Sequence, residues 1–228
     1  MQITEIISAI IDSIRDTGTI TSITKSGSVY TCFTANTQKL KQYYYVVINS
    51  KSYQITEIVA NTYFKVSSTT AVTGTTWTAE APYYYSGTPI AIDNTLKQIG
   101  EGAKKYPIIV LFETIKQKII NDTTKATGIN ADLHLFFMDN ANYRDWQTSD
   151  HYDNVIEPLQ DYVDLFLAAC NKSKYINFFE LKDYNTVNHA KWGIYVENKG
   201  HIRSIFTDDL SGIELQINLP IMRHYVSC

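Results

Sequence analysis

The chain has 228 residues, a mass of 26.0 kDa and a formal net charge of −3, with 44% hydrophobic and 19% charged residues. This length suffices for one large domain or two small ones with a buried core, and the composition excludes a disordered chain. No window approaches 18 consecutive apolar residues, so we expect no helix that spans a membrane.

The N-terminus and the cysteines bear on the compartment. Residues 1–5 lack the basic segment that begins a signal peptide. Cys32, Cys170 and Cys228 are few and widely spaced, which argues against a disulfide framework. We therefore expect production in a reducing cytoplasm.

Tyrosine is the unusual residue, with 17 copies against nine Phe and three Trp. Its side chain combines an apolar ring with a polar tip and is enriched at protein interfaces. A nearly neutral chain of this kind is a poor candidate for specific binding of duplex DNA. Protein–protein contact and carbohydrate stacking both remain open.

Residues 3–15 are predicted to form an amphipathic helix, which Gly18 would terminate. One face of this helix is built from isoleucines alone, at positions 3, 6, 7, 10, 11 and 14. Because β-branched residues are mediocre helix formers, packing of the Ile face against another apolar surface must hold the helix.

The segment 19–87 is rich in Thr and Ser and contains short runs in which apolar and polar residues alternate. This pattern predicts a β-rich module. A four-residue turn over 49–52 and a loop over 34–42 are expected. The predicted strands are Ser28–Phe33, Tyr45–Ile48, Tyr53–Ile58, Asn61–Val66 and Thr75–Ala79. Five short strands in this space indicate a small β-barrel or sandwich.

The remaining segment, 88–228, mixes helical and strand patterns and is predicted to be an α/β sandwich, with a mixed sheet packed by helices. Thr88 and Pro89 supply the N-cap and first position of one helix. A polar connection is expected over 116–130. The other predicted elements are strands at 108–112, 131–138, 175–181, 192–196 and 213–219, a helix over about 150–170, and a short tail over 222–228. The fold class is therefore α+β, with the first helix (1–18), the β-module (19–87, a possible insertion) and the α/β domain (88–228).

Motifs for catalysis or cofactor binding are missing from the sequence. Gly100 and Gly102 do not follow a strand, so they do not form a nucleotide-binding loop. The histidines at 134, 151, 189, 201 and 224 are scattered and none pairs with another His or Cys at metal-ligand spacing. No Gly-x-Ser-x-Gly occurs. We therefore expect no catalytic residue, cofactor or metal, and no enzymatic activity.

The predicted helix over 150–170 carries an unusual acidic face, without any Lys or Arg between Asp145 and Asn171. Its members are Asp150, Asp153, Glu157, Asp161 and Asp164. Acidic side chains near a helix start are explained by capping and by the helix dipole. The face is therefore either simply solvated, or docks on a basic partner, or lines a channel and repels the phosphates of passing DNA. Residues 1–87 carry net +1 and residues 88–228 net −4.

Two tyrosine triplets are candidate interface residues: Tyr43, Tyr44 and Tyr45, and Tyr83, Tyr84 and Tyr85. Consecutive side chains of a strand point to opposite faces, so one face of each triplet needs a cover besides the local core. A neighbouring strand, a subunit interface and a ligand surface would each provide it.

Several stretches together resemble a known family. In order they are "YPIIVLFETI", "ADLHLFFMDNANYRDW" and "TSDHYDNVIEPLQDYVDLFLAAC", and this part of the chain looks like the tail-terminator or tail-completion proteins of tailed phages. The N-terminal helix with "YYYVVINSKSYQITEIVANTYFKV" resembles the β-modules of phage neck and connector proteins. Among tailed phages, the sequence is similar in character to proteins of crAss-like phages. No functional residue is carried over individually from the resemblance.

The resemblance implies a structural virion protein, assembled in the host cytoplasm as a six- or twelve-fold ring. Such a ring would join portal, neck and tail proteins and leave a lumen through which DNA passes without specific binding. The first helix would then pack on the α/β sheet. Two alternatives stay open. One is a carbohydrate- or receptor-binding module with Trp77, Trp146 and Tyr83–Tyr85 as stacking platforms; the other is a small hydrolase that depends on His151.

Overall fold

The computed structural model describes residues 2–15, 17–37, 40, 42, 44–99, 105–112, 115–122, 125–141, 149–176, 183–196 and 201–222. The fold is mixed α+β and dominated by sheets. The chain divides into two compact units, Ile14–Ala81 and the combination of Met1–Ser13 with Pro82–Cys228. We call them the inserted unit and the main unit.

Helix α1 (Ile3–Ile11) begins with Gln2, whose backbone N–H donates to Glu5 Oε2 at 2.7 Å. It ends earlier than the periodicity predicts, because the hydroxyl of Ser13 donates to the carbonyl of Ile10 and competes with a further helical turn. Its isoleucines are buried. The prediction that Gly18 terminates this helix is wrong, since Gly18 lies in a strand.

The inserted unit is one seven-stranded antiparallel sheet curled into a half-barrel, rather than a closed barrel or a two-sheet sandwich. Its strands follow the order β1-β7-β4-β5-β6-β3-β2. They are β1 (Thr17–Thr19), β2 (Ser22–Ser26), β3 (Val29–Phe33), β4 (Tyr45–Ile48), β5 (Lys51–Val59), β6 (Tyr63–Ser67) and β7 (Thr76–Ala79). All five predicted strands are present; β1 and β2 escape prediction because they are short, polar and largely exposed.

The turn between β4 and β5 has two residues instead of the predicted four. Asn49 and Ser50 adopt positive φ angles of 49° and 63°, as the tight turns of two-residue hairpins require. Lys51 and Ser52 already pair with Ile48 and Val47. Because the side chains of Lys51 and Ser52 are polar, the sequence pattern predicts a longer turn, although the backbone of both residues continues the β4–β5 ladder.

The main unit is built on a six-stranded mixed sheet, with the order β12-β15-β11-β9-β8 and β10 paired to β11. Its elements are β8 (Tyr83–Gly87), α2 (Pro89–Gln98), β9 (Ile108–Phe112), β10 (Lys116–Asp122), β11 (Lys125–Asn140), a π-helical turn (Tyr152–Ile156), α3 (Glu157–Lys172), β12 (Tyr184–His189), β13 (Ile194–Val196), β14 (Ile202–Ser204) and β15 (Leu210–Met222). Strands β8 and β9 pair in parallel and the other neighbours are antiparallel. Strands β13 and β14 form a separate hairpin.

Two predictions about the main unit need correction. The polar segment 116–130 is not a loop, because it forms β10 and the first part of β11, which pair with each other. Residues 83–87, predicted to belong to the β-module, form β8 of the main sheet instead. Of the strand expected at 175–181, Ile176 makes a bridge to Ile221, and residues 177–182 lie outside the described part.

Helices cover opposite faces of the main sheet. Phe137 on β11 meets Phe166 on α3 at a ring distance of 6.0 Å, and α1 packs against α3 and β8. The residues on either side of Phe137 along β11, Phe136 and Met138, belong to the core under α2, since successive strand residues point to opposite faces. Within the described ranges, no helix is both long and apolar enough to cross a bilayer.

Candidate functional site

Glu214 on β15 is a buried carboxylate that receives hydrogen bonds from three side chains. Its Oε1 lies 2.7 Å from Nδ1 of His134, and its Oε2 lies 2.8 Å from Nε2 of His189. Gln216 donates to Oε1 at 2.9 Å. Because an ionised carboxylate only accepts, both ring nitrogens carry the proton in these bonds. The cluster joins three adjacent strands, β11, β15 and β12.

The electrostatics of this cluster favour the charged carboxylate. Burial raises the pKa of Glu214, but the hydrogen bonds from Gln216, His189 and His134 outweigh it and hold the pKa below the usual glutamate value. A carboxylate whose oxygens are occupied by internal donors is a poor general base. In this structure the Glu214 carboxylate links neighbouring strands through its hydrogen bonds.

An open cleft of about 450 Å³ adjoins the cluster. Its floor is formed by β11, β15 and β12, and polar side chains dominate its lining: Asp132, His134, Asp183, Asn185, Gln216 and Asn218. The amide of Asn218 donates to Oδ1 of Asp132 at 3.2 Å across the strands. The cleft therefore belongs to a polar part of the sheet, beside the part that α2 covers.

This cluster is not predicted from the sequence, because its histidines are far apart along the chain. The signal that could have found it is strand alternation: Glu214 and Gln216 share one face of β15, and Gln216 pairs with His134. The pairing of β11 with β15 joins residues 70 or more positions apart, so it cannot be predicted from either segment alone.

Ser211 and His151 form a second polar contact, on α3's side of the sheet. The Ser211 hydroxyl donates to the backbone carbonyl of His189 at 2.7 Å, and Nε2 of His151 lies within hydrogen-bonding distance of the hydroxyl oxygen of Ser211. Since the serine has a single proton, His151 must be the donor between them. Burial lowers the pKa of His151. In this geometry His151 does not act as a base toward Ser211.

The described cysteines are buried thiols. Burial raises the pKa of Cys32 to about 11 and that of Cys170 to about 12, so neither is a thiolate at neutral pH. Cys228 lies outside the described residues. Among those residues, no group of three or more His, Cys, Asp or Glu side chains is arranged to hold a metal ion.

The acidic side chains predicted to share one helix face lie on the π-helical turn and α3, with Asp150 just before them. Asp153, Glu157 and Asp164 are exposed, whereas Asp150 and Asp161 are half-buried. Gln160 donates to Oδ1 of Asp164 at 3.2 Å. The opposite face of α3 is buried, so these carboxylates are directed away from the core of the main unit.

The two tyrosine triplets have different environments. Tyr43 lies outside the described residues, while Tyr44 and Tyr45 are half-buried where β4 of the inserted unit begins. Tyr83–Tyr85 belong to β8, at one end of the main sheet. Tyr83 is 37% exposed, whereas burial raises the pKa of the Tyr84 and Tyr85 hydroxyls.

Of the residues suggested as stacking platforms for a carbohydrate, Trp77 is not accessible. Trp77 is fully buried in the inserted unit, and its indole N–H donates to the hydroxyl of Thr34 at 3.2 Å. Trp146 lies outside the described residues. A tryptophan enclosed by protein cannot stack on a sugar, so Trp77 is a core residue.

The two end strands of the main sheet are the remaining candidate surface. Strand β8 pairs with β9 and strand β12 pairs with β15, and within the described ranges each has one such neighbour. Tyr184 and Val187 on β12 are 42% and 41% exposed. The sheet thus presents apolar and aromatic side chains at both ends. In comparisons with protein-family models, with curated proteins and with solved structures, nothing matched this chain.

Proposed function

We propose that this chain is a structural virion protein that assembles into a ring in the neck or tail of a tailed phage. The observation that carries the proposal is the pair of different surfaces at the two ends of the main sheet, Tyr83 on β8 and Tyr184 with Val187 on β12. Contacts between two different patches run head to tail, and they generate a ring when the rotation closes.

The resemblance of residues 88–220 to tail-terminator proteins supports the same proposal. In such a ring the main unit would supply the subunit contacts, and the inserted unit would meet other neck, portal or tail proteins. Its half-buried Tyr44 and Tyr45 suit a role at a protein interface.

The mass of the particle in solution tests the proposal. We expect size-exclusion chromatography with light scattering to give six or twelve chains, and electron microscopy to give a ring. Val187→Lys places a charge on β12 and should shift the protein toward the monomer. Val59→Lys is the matched control, because Val59 is 40% exposed on a strand of the inserted unit, and it should leave the mass unchanged. A wild-type protein that stays monomeric at every concentration and binds glycans would contradict the proposal.

The carboxylates of the acidic face provide a second test. If the acidic face lines the lumen, its charge repels DNA phosphates and keeps the duplex from adhering. Neutralising Asp153, Glu157, Asp161 and Asp164 together should slow the passage of DNA and leave assembly intact. Normal DNA ejection by virions that carry the neutralised ring would exclude this role for the acidic face.

A further inference from the structure

We propose that the contact between neighbouring subunits is an antiparallel main-chain pairing of β12 in one copy with β8 in the next. This inference rests on the proposed function, because it names the partner as a second copy of the same chain. The main sheets of adjacent subunits would then join into one continuous sheet.

The backbone of β8 has its outer hydrogen-bonding groups in place for such a pairing. The N–H of Tyr83 donates to the carbonyl of Pro107 at 3.0 Å, so Tyr83 points its backbone groups toward β9. These groups alternate in direction along a strand. The N–H and C=O groups of Tyr84 and Ser86 are therefore directed to the outer side, where no described strand pairs with them.

The strand directions determine how the two ends would meet. Strand β8 runs parallel to β9, β9 is antiparallel to β11, β11 to β15 and β15 to β12. Three reversals make β12 antiparallel to β8 within one sheet. When a second copy continues the sheet in the same orientation, its β8 meets β12 in antiparallel fashion. Antiparallel pairing is the slightly more stable arrangement.

The composition of these two strands lacks the usual protection of a free edge. Exposed edge strands are normally kept apart by charged residues, proline or short length. Strand β8 reads YYYSG and β12 reads YNTVNH, without Lys, Arg, Asp, Glu or Pro. The outer strand β10 carries Lys116 and Lys118, the outer strand β2 carries Lys25, and β1 has three residues. Of these strands, β8 and β12 are the two that are chemically suited to pair.

The lengths and surroundings of the two strands also agree. Strand β8 has five residues and β12 has six, so a single ladder would occupy both. Every residue of β12 except His189 is exposed, which is unusual for a strand that carries Tyr184 and Val187. A neighbouring β8 would supply the second partner strand that β12 lacks within the described chain.

A proline at Ser86 tests the main-chain bond directly. Ser86→Pro removes an outward N–H without removing a bond to β9, and proline is tolerated at sheet edges. Ser86→Ala is the matched control, because it removes the hydroxyl and keeps the N–H. We expect Ser86→Pro to raise the dissociation constant of the ring about tenfold or more, with an unchanged circular dichroism spectrum, and Ser86→Ala to assemble as wild type.

Hydrogen exchange and cross-linking on the full chain keep the inference testable if Ser86→Pro misfolds. Amides of β8 and β12 should exchange more slowly in the ring than in the diluted monomer. In a Cys228→Ser background, Ser86→Cys should form an intersubunit disulfide with Tyr184→Cys or Thr186→Cys. These positions share the face of Ser86 in antiparallel register, as does Asn188 at the far end.

The outcomes separate the inference from the proposed function. A ring that assembles normally with Ser86→Pro, or that cross-links through Asn188→Cys alone, or that leaves both strands unprotected, overturns the pairing while the ring proposal stands. A wild-type chain without any assembly overturns both.

Discussion

At the scale of single residues, Gly18 shows why local patterns mislead. Its position after an apolar helix suggests a C-cap, yet it lies in β1 opposite Trp77. A Cβ at this position would overlap the indole ring of Trp77. The glycine is therefore needed for a contact with a residue 59 positions later, which no local pattern contains.

We predict that Gly18→Ala destabilises the inserted unit by about 1–3 kcal/mol, because the added methyl group forces the buried indole to move. Chemical denaturation followed by circular dichroism measures the change. Thr19→Ala, at an exposed position of the same strand, should change the free energy of unfolding by less than about 0.5 kcal/mol. Equal stability of Gly18→Ala and wild type would show that Trp77 has room to adjust.

At the scale of elements, helices and apolar strands were more predictable than polar strands. The Ile stripe of α1 and the apolar face of α3 repeat with a helical period, and β9 is a continuous apolar run; all three are present. The polar segment 116–130, which forms β10 and the first part of β11, lacks an apolar alternation, and its ladder is visible only in the fold. The Glu214 cluster could not be predicted from the sequence for the same reason, since it depends on the pairing of β11, β15 and β12.

We predict that Glu214→Gln lowers the free energy of unfolding at pH 7 by about 1–3 kcal/mol, because it weakens charge-assisted bonds from His134 and His189 in a buried place. The folded-state pKa of Glu214 is lowered, so its stabilisation is complete above the ordinary glutamate pKa and is lost as the pH falls through the folded value. The difference between wild type and variant should therefore shrink below about pH 4.5.

Denaturant unfolding from pH 3 to pH 7 measures this difference. Asp132→Asn is the control, because Asp132 is an exposed carboxylate on a neighbouring strand, and it should cost less than about 0.5 kcal/mol throughout. A Glu214→Gln difference that does not vary with pH would mean that packing, and not charge, accounts for the effect.

At the scale of the whole molecule, the inserted unit has a core of its own, which includes Trp77, Phe64 and Ile55. Its first and last strands are neighbours, since Thr17 pairs with Thr78. A segment whose ends are close together and whose core is internal can be cut out without breaking its sheet.

We predict that residues 14–81 fold when expressed alone, with a cooperative unfolding transition and the blue-shifted fluorescence of a buried Trp77. Circular dichroism and tryptophan emission provide the measurements. Phe64→Ala, which removes a fully buried ring beside Trp77, should abolish the transition or lower its midpoint strongly. A disordered wild-type segment would contradict the prediction.

The position of α1 has a consequence for synthesis on the ribosome. The helix is made before α3, against which it packs, and α3 follows only after the whole inserted unit and most of the main sheet have been made. At about 5–20 residues per second, the all-isoleucine face of α1 waits roughly 7–30 s for its partner. During that interval the apolar face of α1 is exposed on the nascent chain. A chaperone that binds short apolar helices would bind α1 at this stage.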